Sequence, residues 1–349
     1  MLEKIILFST MLFLMNCSQK EVAQKTPPLI ELQQSGVDVS FRGLGVKNEN
    51  EAWVSGTKGT VLRTQNAGKS WEKITVPGAD TLDFRDLELL NDSTVLLMSI
   101  GPGSSSKIFK STNHGDSWRV TYENKEPKAF FDGFDFWDEK NGILISDAID
   151  DKLYLLITED GGESWNRVGA ETLPPLGEGE YGFAASGTGI FTLGDQEVWI
   201  ATGGSKARVF YSPDRGKNWE VFNSPMISGK PSTGSFSIHF QDKLNGIIVG
   251  GDYQIDTAAI NNVALTKDGG KTWNSIENPG TVPFKSCVTF VGDDSYLAVG
   301  TSGVSWSSDN GKNWTTVNPT SFHTMDFDRN SNVGWMAGGG GKIAKFQVK

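Results

Sequence analysis

The sequence predicts an all-β repeat protein, on three observations: a turn motif that recurs six times, near-regular spacing between its copies, and a composition suited to short strands. The copies are Thr64–Trp71, Ser111–Trp118, Thr158–Trp165, Ser212–Trp219, Thr266–Trp273 and Ser307–Trp314. All fit Ser/Thr-x-Asp/Asn-x-Gly-x-Ser/Thr/Asn-Trp, and successive tryptophans lie 41 to 54 residues apart, enough for one small sheet per copy. Of 349 residues, 41 are Gly and 11 are Trp, and extended helical periodicity is lacking. A repeat array of this length makes one large domain rather than two.

Each motif copy has the chemistry of a hairpin turn. The Asp or Asn accepts hydrogen bonds from nearby backbone N–H groups, the Gly supplies a positive φ at no steric cost, and the hydroxyl residues add local bonds. The Trp starts the returning strand and wedges an apolar ring between neighbouring sheets, its indole N–H free to find a carbonyl. The motif therefore reads as a structural clasp, without a catalytic role.

The N-terminus is different in kind. Lys4 precedes the apolar run Ile5–Met15, too short to cross a bilayer as a helix, so residues 1–16 read as a secretory signal. Cys17 follows Leu14-Met15-Asn16 and resembles the acylated cysteine of a bacterial lipobox, with residues 17–28 as a polar tether. That reading places the chain in the cell envelope, lipid-anchored to a membrane; the alternative is an ordinary signal with an unmodified cysteine. Cys287 is the only other cysteine, so the mature domain forms no internal disulfide. A net charge of −10 offers no basic stripe for nucleic acid.

The six motif copies resemble Asp-box repeats, also called bacterial neuraminidase repeats, of sialidases, sortilin-type receptors, xyloglucan hydrolases and photosystem II assembly factor propellers. The resemblance implies a turn between the third and fourth strands of a propeller blade. In the first unit the strands are then Gly43–Val46, Ala52–Ser55, Thr60–Arg63 and Ser70–Val76, and the later second strands are Val95–Ser99, Gly142–Ser146, Val198–Thr202, Gly246–Val249 and Tyr296–Val299. A seventh unit lacks its box: Met325–Phe327, Gly334–Ala337 and Lys342–Gln347 give three strands, and Leu29–Gln33 supplies the fourth. The expected fold over 29–349 is an all-β, seven-bladed β-propeller of four-stranded antiparallel blades, closed by an N-terminal strand that completes the last blade.

In such a ring the boxes share one face with short turns, and the opposite face carries the long, variable loops where binding concentrates. Alignment of the units puts Arg42, Arg85, Asp132, Ser186, Ser235, Lys285 and His323 just before the innermost strands, at the channel mouth. Arg42, Arg85, Lys285 and His323 suit a polar or anionic ligand, with Asp132 as base or acceptor; a solvated salt-bridge network is the alternative. His239, inside a first strand, reads as a core or channel residue. Two long loops, 169–187 and 251–262, bring Glu178, Glu180, Tyr181, Asp252, Tyr253 and Asp256 to the same face, beside Asp147, Asp150 and Asp151. No calcium-loop spacing, paired-cysteine site or other metal or cofactor motif is present. Gly177–Gly182 matches Gly-x-Gly-x-x-Gly, but it follows a Pro-rich stretch, opens no helix and sets two carboxylates where a pyrophosphate would sit.

The sialidase resemblance stops at Phe41-Arg42, which lacks the following Ile-Pro, and no two further arginines stand in matching contexts. The repeat Phe-x-Asp-x-x-x-Gly-x-x-x-Gly followed by the box, as in Phe240–Gly250 with Thr266–Trp273, is similar to the photosystem II stability/assembly factor-like propellers. That resemblance implies a non-catalytic scaffold that acts by binding other proteins, and the chain is read as a monomeric propeller that binds a protein or glycan partner through its variable face. The alternative is a glycosidase using two carboxylates of the variable face.

Overall fold

The computed structural model describes residues 25–276 and 281–349. The leader over 1–16, Cys17 and the tether up to residue 24 lie outside the described residues. The rest forms seven antiparallel sheets arranged in chain order around a central channel. Blade 1 runs outward through Phe41–Val46, Ala52–Gly56, Thr60–Thr64 and Glu72–Ile74. Blades 2 to 6 begin on Asp83–Leu89, Phe131–Phe136, Ile190–Leu193, Thr233–Phe240 and Cys287–Gly292. Blade 7 is Thr324–Asp328, Val333–Ala337 and Lys342–Gln347, completed on its outer side by Leu29–Gln34.

That last pairing closes the ring as expected, with Leu29 opposite Gln347 and Gln34 opposite Lys342. It replaces an open edge with hydrogen bonds between the two ends of the domain. The core is divided into clusters that each join two neighbouring blades. Phe41, Val54 and Leu62 of blade 1 pack on Trp335 and Ile343 of blade 7, for example, and Trp53 and Ile74 pack on Phe84 and Leu97 of blade 2. Second strands such as Val95–Ile100 are buried at every residue, because each of their faces meets another blade.

Along the channel, side chains of the first strands tie blade 2 to 3, 3 to 4, 5 to 6 and 7 to 1. Asp86 accepts the Phe134 N–H at 3.0 Å, Asp135 accepts Thr192 N–H at 2.6 Å, and Asp326 accepts Val46 N–H at 2.7 Å. Ser237 Oγ does the same for Val288 N–H at 3.0 Å. These bonds satisfy backbone groups that a four-stranded blade leaves unpaired on its inner edge.

The boxes are built as the turn chemistry predicts. In all six, the Gly N–H donates to the first-position hydroxyl at 2.8–3.0 Å. The seventh-position N–H donates to the Asp or Asn Oδ1, also at 2.8–3.0 Å. The Gly has a second reason to be Gly: besides its positive φ, a Cβ at Gly162 would stand 2.3 Å from Leu96 of the preceding blade. Four box indoles donate to the carbonyl of their own Gly at 2.8–3.0 Å. Trp71 instead donates to Gln33 of the closing strand at 3.3 Å. One structural addition was not expected: Glu180–Tyr181 and Gly203–Gly204 extend blade 5 inward to six strands.

Trp273 is buried, bonded to Gly270 and edge-on to Phe240 at 5.9 Å, so Trp273→Ala should cost about 3–5 kcal/mol. Trp219 is half-buried and should cost less. A urea-unfolding loss below about 1 kcal/mol for Trp273→Ala would contradict a structural role for the box tryptophans.

Candidate binding site at the mouth of the channel

The innermost strands of four blades carry a β-bulge near their starts. It falls at Arg42 in blade 1, Arg85 in blade 2, Asp132 in blade 3 and Phe236 in blade 5. A bulge leaves one residue out of the ladder and re-aims its side chain. All four line a pocket of about 500 Å³ at the channel mouth, on the face opposite the boxes. In blade 5 the residue presented is thus Phe236, one position beyond the Ser235 of the sequence alignment and at the same place in the bulge as Arg42, Arg85 and Asp132.

One wall of the pocket is cationic. Arg85 is held by Asp83, with N–O distances of 2.8 and 2.9 Å, and donates to the Ala184 carbonyl at 2.7 Å. Arg42 donates to the Ala185 carbonyl at 2.8 Å but has no carboxylate partner. Burial, and then the neighbouring Arg85, lower its pKa to about 10. His323 sits next to it, its Nδ1 3.1 Å from the Phe41 carbonyl. A carbonyl only accepts, so Nδ1 carries the proton and Nε2 is left as an acceptor. Burial, with Arg42 adding to it, lowers the His323 pKa to about 4, so the ring is neutral at pH 7.

The next wall is acidic. Asp132 is 5% exposed, and one of its carboxylate oxygens has no hydrogen-bond partner. Burial, reinforced by Asp147, raises its pKa well above the ordinary carboxylate value against the pull of Arg85. Asp147 is half-buried in the same pocket, raised to about 6 by burial, and forms no ion pair. The remaining wall is aromatic. Phe183 stacks on Phe236 at 3.8 Å, and Tyr181, Tyr253 and Phe284 meet these rings edge-on at 4.9–6.1 Å.

The floor is the segment 182–188, which crosses the channel. The carbonyls of Ala184 and Ala185 hold the two arginines, and Ser186 Oγ donates to the Ser286 carbonyl at 2.7 Å. Beyond it lies an inner cavity of about 310 Å³, lined by Asp86, Glu88, Asp135, Asp326 and His239 among others. His239 accepts from Arg329 at 3.2 Å and stands 4.6 Å from the Phe191 ring. Burial, with Arg329 adding to it, lowers its pKa to about 3.

The structure thus gathers Arg42, Arg85, Asp132, His323, Tyr181 and Tyr253 into one pocket, and places the other expected residues elsewhere. Lys285 turns away from the mouth: its Nζ is buried and donates to Ser302 Oγ at 2.8 Å and the Gly303 carbonyl at 3.0 Å. Glu180 is buried in an ion pair with Arg208 at 2.6 Å and accepts from Thr202 Oγ1 at 2.6 Å, so it braces the inward extension of blade 5. Asp252 is buried and accepts the Gln254 N–H at 3.0 Å, while Glu178 is exposed outside the pocket. Ser186 belongs to the floor. Phe183, Phe236 and Phe284 were missed, because alignment searched for polar groups; the Phe-rich approach to the innermost strands was the available signal. Among the described residues, no group of three or more His, Cys, Asp or Glu is arranged to hold a metal.

No protein-family model matches this sequence, and no curated protein matches it. Solved structures do match. The chain is similar to YCF48 bound to a D1 peptide, at TM-score 0.68 and 14% identity over 94% of this chain and 99% of that one. It is also similar to YCF48 from Cyanidioschyzon merolae (TM-score 0.61, 14% identity, 91% and 98% covered) and to the WD40 repeats of RRP9 (TM-score 0.64, 12% identity, 93% and 100% covered). The shared feature is the fold. At these identities it is the ring of blades that is common.

The buried carboxyls give the ring a pH signature. Asp135, raised to about 6 by burial, holds a proton that the unfolded chain has released, so its contribution to stability is present at low pH and lost as pH rises through about 6. Asp86, Asp132, Asp147 and Asp326 act in the same direction. His239 and His323 oppose it between about pH 6.5 and 4, but are fewer. In the boxes, despite desolvation, hydrogen bonds lower Asp160, Asp214, Asp268 and Asp309, whose contribution is lost as pH falls below the unfolded value near 4. The melting temperature should therefore peak near pH 5, and a steady rise from pH 5 to 7.5 would contradict the channel carboxyls being protonated.

Proposed function

We propose that the protein is a lipid-anchored, non-catalytic scaffold of the cell envelope that holds a protein partner on the mouth face of its propeller. One observation carries this reading. The loop 251–262 presents Tyr253, Ile255 and Ile260 to solvent at 48–59% exposure beside the pocket, while the box turns of the other face spend their polar groups on their own hydrogen bonds. Exposed apolar side chains grouped around a concave site are what a protein interface needs. The structure of YCF48 bound to a D1 peptide supports the mode, since a similar ring binds a peptide there. The anchor rests on Cys17 and the apolar run before it.

The alternative glycosidase reading has one observation of its own, the proximity of Asp132 and Asp147 in a single pocket. Turnover of aryl glycosides that Asp147→Asn abolishes would favour it over the scaffold.

The test is affinity purification from native envelopes with the wild type and the Ile255→Asp/Ile260→Asp double variant. The variant should melt within a few degrees of the wild type, because both side chains are exposed, yet lose the specific partner. Equal recovery of that partner by both proteins, or recovery of a glycan alone, would overturn the reading. Cys17→Ala should move the protein from the membrane to the soluble fraction, and retention there would exclude acylation of Cys17 as the anchor.

A further inference from the structure

The mouth pocket contains two opposite charges that no protein group neutralises. Arg42 of blade 1 is bonded to a carbonyl alone, and Asp147 of blade 3 has neither a hydrogen bond nor an ion pair through its carboxylate. They do not pair with each other, because Arg85 of blade 2, already committed to Asp83 and Ala184, stands between them in the ring. Each is partly buried, so each bears a desolvation cost that a partner would relieve. Arg42 and Asp147 therefore present one unmatched charge of each sign, while Arg85 is matched by Asp83 and His323 is neutral. A ligand with net charge of either sign would leave one group opposed, while one that carries both signs satisfies both.

The rest of the pocket gives the ligand's body. Tyr181, Phe183 and Tyr253 offer aromatic surface next to the acidic wall, backed by the buried Phe236. The volume of about 500 Å³ is of the size that holds one small molecule rather than a folded segment. We infer that the pocket binds a free zwitterion with an aromatic side group, an amino acid or dipeptide, its carboxylate on Arg42, its ammonium on Asp147 and its ring against Phe183 and Tyr253. The neutral His323 supplies an acceptor but no competing charge. A charge-assisted contact at each end, with a ring stacked between, fixes the orientation of the ligand.

The pocket shares Tyr253 with the loop of the partner reading but not Ile255 or Ile260, so the variants that test the two readings do not overlap. The experiment is calorimetric titration of the purified chain with L-phenylalanine and the dipeptide Ala-Phe, beside the one-ended probes N-acetyl-L-phenylalanine and L-phenylalaninamide. At least one of the zwitterions should bind saturably, and capping either end should weaken it by about tenfold or more. Arg42→Gln should abolish the penalty for losing the carboxylate while keeping that for losing the ammonium, and Asp147→Asn should do the reverse. Thermal melts of both variants, with Arg42→Lys and Asp147→Glu as charge-keeping controls that retain the preference, separate this pattern from misfolding. The inference is overturned if neither zwitterion binds at millimolar concentration, if capped probes bind as tightly, or if each folded variant loses both preferences together.

Discussion

The rest of the structure depends on the pairing of Leu29–Gln34 with Lys342–Gln347. A propeller blade cannot bury its two faces alone; each second strand is apolar on both sides and needs a neighbour on either hand. The ring provides those neighbours only if it closes, and among the described residues the closing contact joins chain segments more than 300 residues apart in sequence. Gln33 of that strand also accepts from the indoles of Trp71 in blade 1 and Trp335 in blade 7, at 3.3 and 3.1 Å, so the clasp is tied to both blades that it joins.

Closure has a functional consequence. Residues from separate blades can converge on one axis only in a closed ring, and the mouth pocket is made that way, with Arg42, Arg85, Asp132 and Phe236 each delivered by a bulge in a different blade. The same bulge position carries a cation, a cation, an acid and an aromatic ring in turn. The scaffold repeats while the chemistry varies, which is how a repeat architecture acquires a specific site without altering its core.

The fold was legible in the sequence because its determinants are local. An Asp-box is eight contiguous residues whose turn chemistry can be read from their identities, and the boxless seventh unit shows itself by the missing fourth strand that Leu29–Gln33 supplies. The site was legible only in part. Arg42, Arg85, Asp132 and His323 were found because they recur at equivalent positions, but Phe236, which stands at that same position in blade 5, was passed over for its polar neighbour Ser235. Lys285 shares their position in the repeat without their environment: Ser302 and the Gly303 carbonyl capture its ammonium inside blade 6. That the segment 182–188 crosses the channel could not be read either, since its small residues have no pattern that distinguishes a plug from an exposed loop.

The two faces of the ring are thus set apart by how their polar groups are used, consumed by turns on one side and left open around a pocket on the other. Amide hydrogen exchange of the full chain, with and without the partner recovered from native envelopes, tests that division most directly. Slowed exchange in segments 182–186 and 251–262, with the six boxes unchanged, is the result this account predicts. Protection confined to the boxes and their adjoining turns would contradict it.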